Sequence, residues 1–389
     1  MCKNILITGG AGFIGCALTR KLLSHGYNIT VLDNLDPQVH GINARYNPIL
    51  NKDVHFIKGS ILNDTDIKNA LNGQNYLIHL AAHTATTQSM YHISDNISVN
   101  ALGTAKIMEH LIHQSNNLEK IVIASSRAVY GEGVYRCDNC GTIHPFKRSV
   151  CDMVRGEFEH FCPYCKKKIK PIPSKENDQL KPLSIYGSSK VATEHIASIA
   201  AQTIALPYTI LRYQNVYGEG QSLSNPYTGI LSIFASRSLN NKPIYIFEDG
   251  QESRDFIHID DIVSATMAVL ENEKTNNQIY NIGTGIATSI LSVAQLFLNK
   301  SNSHSEYIIN GNFRAGDIRH NVADISKAKQ DFNYLPQIDI NLGIEKYISW
   351  LKKQVIPQDN LDNSLIELKK VNMLGGASYD ITKDRTMST

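Results

Sequence analysis

The sequence predicts an α/β fold built on a doubly wound parallel sheet. Three observations carry this: short apolar runs alternate with helical patterns, the first run opens into a glycine-rich turn, and an acidic residue ends the second. Asn4-Ile5-Leu6-Ile7-Thr8 is the first strand, followed at once by Gly9-Gly10-Ala11-Gly12-Phe13-Ile14-Gly15 and a helical pattern from Cys16 to His25 that Gly26 ends. Gly9 allows the tight turn, Gly12 lets backbone approach a pyrophosphate, and Gly15 lets the helix pack on the strand. A second strand, Asn28 to Leu32, ends at Asp33, where a carboxylate accepts from an adenosine ribose 2′-hydroxyl and repels a 2′-phosphate. Strand, turn, helix and acid together make a Rossmann-type dinucleotide fingerprint, with NAD favoured over NADP.

Further strands are expected at Val54 to Lys58, Tyr76 to Leu80 and Lys120 to Ala124, with helical patterns between them. The Asp64-Thr65-Asp66 cluster is expected to cap the helix near Ile67 to Leu71. The fourth strand ends in small residues, Leu80-Ala81-Ala82, which lets a cofactor lie across its tip, and His83 is expected on the rim. After Lys190 a helix continues to about Ala205, followed by strands at Pro207 to Leu211 and Ile244 to Phe247 and a helix at Asp260 to Leu270. Residues 353–389 lose periodicity and predict a mobile tail. The resulting division is a dinucleotide-binding domain over 1–212 and again at about 255–282, and a smaller α/β substrate domain over 213–254 and 283–352.

Composition narrows the class. The 389 residues are 42% hydrophobic and 19% charged with net charge +2, so no global field points to nucleic acid or a membrane surface. No run reaches the roughly 18 apolar residues of a membrane span, and the N-terminus enters a strand directly. A cytoplasmic protein is expected. The basic run Lys166-Lys167-Lys168-Ile169-Lys170 is read as a solvated face.

Chemistry concentrates between Ser125 and Lys190. Tyr186 and Lys190 are four apart, so on a helix they share a face. There an ammonium lowers the phenol pKa and bonds a nicotinamide ribose. Such a tyrosine can take a proton from a sugar hydroxyl while hydride leaves the same carbon, with Ser126 holding the substrate oxygen in line. Between these residues stands C-x2-C-x21-C-x2-C: Cys137, Cys140, Cys162 and Cys165. That spacing is close to a zinc ribbon, and four thiolates make a closed tetrahedral structural zinc site. The insertion, 136–171, is expected to form a zinc-folded lid beside the sugar site. Cys151, His144 and His160 read as packing or surface, and Cys2 and Cys16 as core thiols.

With GGAGFIG, HLAA, SSRAVYG, YGSSK, LRYQNVYG, RDFIHIDD and RAGD on the page, residues 3–352 resemble an extended short-chain dehydrogenase/reductase of the NAD-dependent epimerase/dehydratase family. The resemblance implies Ser126, Tyr186 and Lys190 as catalytic. Gly9, Gly12, Phe13, Ile14, Gly15, Asp33, Asn34, Ser60, Ile61, Leu80, Ala81, Ala82, Asn100, Tyr186, Lys190 and Tyr213 are implied to face the cofactor. Ser126, Arg127, Tyr186, Asn215, Phe247, Arg254, Arg314 and Asp317 are implied to face a nucleotide-sugar substrate. Gly59-Ser60-Ile61 departs from the family's Gly-Asp-Ile, so the adenine contact there differs. Related dehydratases place an Asp-Glu pair after the catalytic serine and decarboxylases a Glu; Arg127-Ala128 stands here instead. What remains is oxidation and re-reduction at one carbon, a nucleotide-sugar 4-epimerase, with the insertion pointing to a TDP-6-deoxyhexose. The alternatives are a dehydrogenase or 4-keto reductase on similar sugars, or a UDP-hexose or UDP-uronate 4-epimerase. A homodimer through helices near Ser98–His113 and Ile185–Ala201 is implied as well.

Overall fold

A computed structural model describes residues 3–41, 52–114, 117–227, 229–314 and 316–376. Its centre is a seven-stranded sheet: β1 Asn4–Thr8, β2 Asn28–Asp33, β3 Val54–Lys58, β4 Tyr76–His79, β5 Lys120–Ser126, β6 Tyr208–Tyr213 and β7 Gln278–Ile282. The order is β7-β6-β5-β4-β1-β2-β3 and every pairing is parallel. Both faces are covered, which explains why the strands read as unbroken apolar runs. Ile5 and Ile7 pack in one core with Leu18 and Leu22 of the helix Phe13–Ser24 and with the helix Ile259–Leu270. Leu6, pointing the other way, packs with Ile107 and Leu111 of the helix Gly103–His113 and Ala197 of the helix Ile185–Thr203. Winding reverses between β1 and β4, and a crevice opens at their carboxyl ends, where such sheets bind ligands.

The helix after β3 spans Asp64–Leu71 and is capped by Asn63, whose side chain accepts from Asp66 N at 3.1 Å. The acidic cluster expected as the cap instead fills the first turn, where carboxylates meet the positive end of the helix.

A second core gathers Leu231, Phe234, Ile244, Ile246, Val293, Phe297, Ile344 and Tyr347. Beside it, Ser253–His258 pairs in parallel with Asn215–Tyr217 and antiparallel with Ala287–Ser289. These short strands bring Asn215 and Arg254 to the crevice.

The cysteine insertion is a small body of its own. Val134–Cys137 pairs antiparallel with Gly141–Ile143 and with Lys170–Ile172. Its core is only Tyr135, Cys137, Ile143, Cys162 and Ile169, with Cys165 against it. The insertion is not the lid the sequence led us to expect, because none of residues 134–172 lines the crevice. It backs the loop after Arg314 instead. Arg148 forks onto Glu248 with two contacts of 2.8 Å and donates to Asp317 O at 3.1 Å. Arg319, fully buried, bonds Glu159 of the insertion at 2.6 and 2.8 Å, Asp249 at 2.7 and 2.9 Å, and Glu248 at 2.9 Å. Met153 and Phe158 of the insertion pack on Phe313. Arg148, Arg319 and Glu248 are buried and each has a partner, which is what makes their burial tolerable, while Glu159 and Asp249 are partly exposed.

The expected mobile tail is also corrected. Leu361–Lys370 is a helix with Leu361 and Leu368 buried, and Leu374–Gly375 pairs antiparallel with Phe313–Arg314. Cys2 and residues 377–389, also subjects of sequence expectations, lie outside the described residues. No described helix is long and apolar enough to cross a membrane.

Candidate active site

A cavity of about 880 Å³ runs across the carboxyl ends of the central strands. Its cofactor half begins at the turn after β1. Gly9 has φ +70°, and a Cβ there would lie 2.7 Å from Ala81 N and Cα. A Cβ on Gly15 would come within 2.6 Å of Gly9 O, so the helix can start this close to β1 only with glycine there. The cradle fits a pyrophosphate against the helix N-terminus. Asp33 borders the same half, its carboxylate oriented by Ala11 N at 3.0 Å and Leu35 N at 2.8 Å. Ser60 also lines it: Ser60 N donates to Asp66 Oδ2 at 2.9 Å and its Oγ accepts from Leu62 N at 3.1 Å.

Asn100 is the one predicted cofactor residue that does not reach the cavity. It is buried, with Nδ2 donating to His83 O and Ser189 Oγ, at 3.0 and 2.9 Å, and Oδ1 accepting from His83 N at 2.8 Å. It clamps the loop after β4 to the catalytic helix, a positioning role. His83 itself is on the cavity rim.

The reacting groups come from β5 and the helix Ile185–Thr203. Ser184 caps that helix by accepting from Gly187 N at 3.0 Å, which puts Tyr186 and Lys190 one turn apart at its start. Both are buried and both line the cavity, as does Ser126 at the end of β5. Behind them Glu194 holds Arg212 of β6 by two bonds of 2.7 and 2.9 Å and accepts from Ser125 Oγ, fixing β5, β6 and the helix to one another.

Burial raises the Tyr186 phenol pKa, while a hydrogen bond with Ser126 and the Arg127 charge pull it back. Lys190 Nζ donates to Ala124 O at 2.9 Å, and burial brings its own pKa down to about 8. The Arg127 charge also acts on the phenol, and Arg127 is itself pushed down to about 9 by burial and by Arg254. Lys190 keeps two further N–H directions for a ligand.

The opposite wall is cationic and aromatic. Asn215, Arg254, Arg314, Phe247 and Asp317 all line it. The Arg314 guanidinium lies 4.5 Å from the Phe247 ring centre. Arg254 donates to Ile318 O at 2.7 Å and Arg319 O at 2.9 Å, the loop that the insertion backs. Asn215 Oδ1, Arg314 Nε and both polar atoms of Gln214 are buried without a hydrogen-bond partner, so this wall presents polar groups ready for a polar ligand.

Every other predicted cofactor and substrate residue lines the cavity. Sequence reasoning missed Gln214, Glu252, Tyr227, Ser364 and Leu368. Gln214 sits inside LRYQNVYG and Glu252 two residues before RDFIHIDD, so both were within reach; the last two lie in the expected tail. The four cysteine sulfurs come within 4.8 Å of one another, with Cys137 and Cys165 3.4 Å apart as free thiols.

A glycine cradle, a buried Ser-Tyr-Lys group and a cationic wall around one cavity define an oxidoreductase-type site that takes a dinucleotide and an anionic, polar substrate. The chain belongs to the NAD dependent epimerase/dehydratase family, whose sequence model matches residues 5–283. It is 34% identical over 357 residues to dTDP-L-rhamnose 4-epimerase of Burkholderia thailandensis, covering 91% of this chain and 96% of that protein. It is 31% identical to a putative UDP-glucose 4-epimerase of Methanocaldococcus jannaschii, covering 90% of this chain and 98% of the relative. Among solved structures it is similar to UDP-glucose 4-epimerase of Thermotoga maritima with UDP-glucose, with TM-score 0.73, 28% identity and coverage of 90% and 99%. It is also similar to UDP-glucuronic acid 4-epimerase of Bacillus cereus with UDP-glucuronic acid and NAD, with TM-score 0.72, 27% identity and the same coverage.

Proposed function

We infer that the chain is an NAD-dependent nucleotide-sugar 4-epimerase, acting on a TDP-6-deoxyhexose such as TDP-L-rhamnose. The observation that carries the reaction is Ser126, Tyr186 and Lys190 in one cavity between the glycine cradle and the arginine wall, with Arg127-Ala128 where an eliminating acid pair would stand. The choice of sugar and base rests on the rhamnose-epimerase relative.

Gly9, Gly12, Gly15 and Asp33 would hold NAD, which when bound would supply a reversible hydride acceptor beside sugar C4. The protein supplies the rest. Tyr186 removes the O4 proton and later gives it back, and Ser126 holds O4 in line. Arg127 stabilises the phenolate, while Lys190 offers its free N–H directions to the ribose. Arg254, Arg314 and Asn215 hold the diphosphate, an anchor about which the sugar can rotate as a ketone.

Cys137, Cys140, Cys162 and Cys165 hold a structural zinc. Four clustered thiols fit a closed tetrahedral site and leave no position for a reacting water. Free thiols also favour a reducing, cytoplasmic setting. Leu102, Ile112 and Ile199 stand exposed on the helices expected to pair two copies, which supports a homodimer.

The test is a panel of TDP-, UDP- and GDP-hexoses followed by NMR with no cofactor added. The expected result is C4 inversion, fastest with the TDP-6-deoxyhexose, by protein that releases NAD on denaturation. Turnover only with added NAD or NADH would mean a net dehydrogenase or reductase. Faster inversion of a UDP-sugar would replace the proposed substrate.

A further inference from the structure

We propose that the C-terminal segment, residues 359–376, is a wall and latch of the substrate cavity that retains the oxidised sugar between its two hydride transfers. This rests on the epimerase reading above. Three observations carry it. Leu361, Ser364 and Leu368, on one stripe of the helix Leu361–Lys370, line the cavity. The strand that follows pairs Leu374 with Arg314, so the segment is bonded to the backbone of a residue in the substrate wall.

The third observation is a hydrogen-bonded chain from the segment towards the catalytic helix. Glu367 accepts from the Tyr227 hydroxyl, and the Tyr91 hydroxyl donates to Tyr227 at 3.1 Å. Two residues before Tyr91, Ser89 Oγ accepts from Tyr186 N at 3.0 Å. The segment's base is fixed by Arg237, which is buried and bonds Asp359 at 3.1 Å and Asp362 at 2.8 Å. One end is therefore anchored by buried charges, while only two part-buried bonds, Tyr227 to Glu367 and Tyr91 to Tyr227, tie the other face to the cavity wall. That is how a cover that must open for a nucleotide and stay shut during ketone rotation would be built.

The reaction needs such a cover. Once C4 is oxidised, the ketone must turn over inside the cavity while still held by its diphosphate. A ketone that escapes ends the cycle with the enzyme reduced.

The experiment uses full-length Glu367→Ala and Tyr91→Phe proteins with matched melting and NAD content, and TDP-L-rhamnose or whichever panel sugar is inverted. Free 4-keto sugar in the ultrafiltrate is trapped with borodeuteride and counted by mass spectrometry. The expected result is at least about tenfold more ketone released per turnover from both variants, with a raised KM. Ketone release and KM within about twofold of wild type in both would overturn the proposal. Should wild type invert no sugar, the epimerase reading falls, and the wall is judged by trypsin cleavage at Lys369 and Lys370. Protection by TDP or UDP supports the wall, and cleavage unaffected by either overturns it.

Discussion

Tyr186→Phe is expected to fold, keep its NAD and lose about 10²–10⁴-fold in kcat, the range for a positioned acid–base group. The phenol is buried in the cavity wall and the substitution removes one oxygen without opening a hole, so packing is spared. Activity within about tenfold of wild type would be too high for a missing catalyst and would contradict the assignment. The same logic sets the pH dependence. Burial raises the phenol pKa, and Ser126 and Arg127 pull it back. Because a cation favours phenolate, Arg127→Met should move the rising limb of kcat to higher pH, whereas loss of a purely structural arginine would lower activity equally at every pH.

Removing zinc is expected to have the next largest effect, and to be felt in substrate binding more than in chemistry. The insertion's own core is five side chains, two of them cysteines, and a zinc held by the proposed site would contribute folding energy directly. When the insertion opens, Arg148 and Glu159 leave Glu248 and Arg319, and breaking buried pairs costs about 3–5 kcal/mol. The loop that supplies Ile318 O and Arg319 O to Arg254 then loses its backing. Chelation, or Cys162→Ser, should lower Tm by about 5–10 °C and raise KM for the nucleotide sugar more than it lowers kcat. Unchanged melting after chelation would defeat the structural-zinc reading.

Much of this was legible in the residues. Asn4–Thr8 has the ends its residues predict, because an interior strand covered on both faces is an apolar run with little ambiguity. The cavity residues were legible because glycine cradles, acidic strand ends and the Tyr186–Lys190 pair depend on local geometry that sequence spacing encodes. Long-range placement was not. Leu361, Leu365 and Leu368 do have helical spacing, but one apolar stripe on a ten-residue helix does not say what it packs against. The insertion was taken for a lid because it is inserted between two catalytic motifs. Its actual neighbours, Glu248, Asp317 and Arg319, come from more than 70 residues further on. The anchor of Lys190 was hidden for a related reason: the Ala124 carbonyl that accepts from it belongs to a strand 66 residues away.

In the proposed reaction hydride leaves C4 and comes back to C4 within one closed site. A TDP-L-rhamnose labelled with deuterium at C4, incubated with the protein and no added cofactor, tests this most directly. The expected product is inverted at C4 and keeps its deuterium there. Inverted product carrying hydrogen at C4, or no inversion until NAD or NADH is supplied, would contradict it.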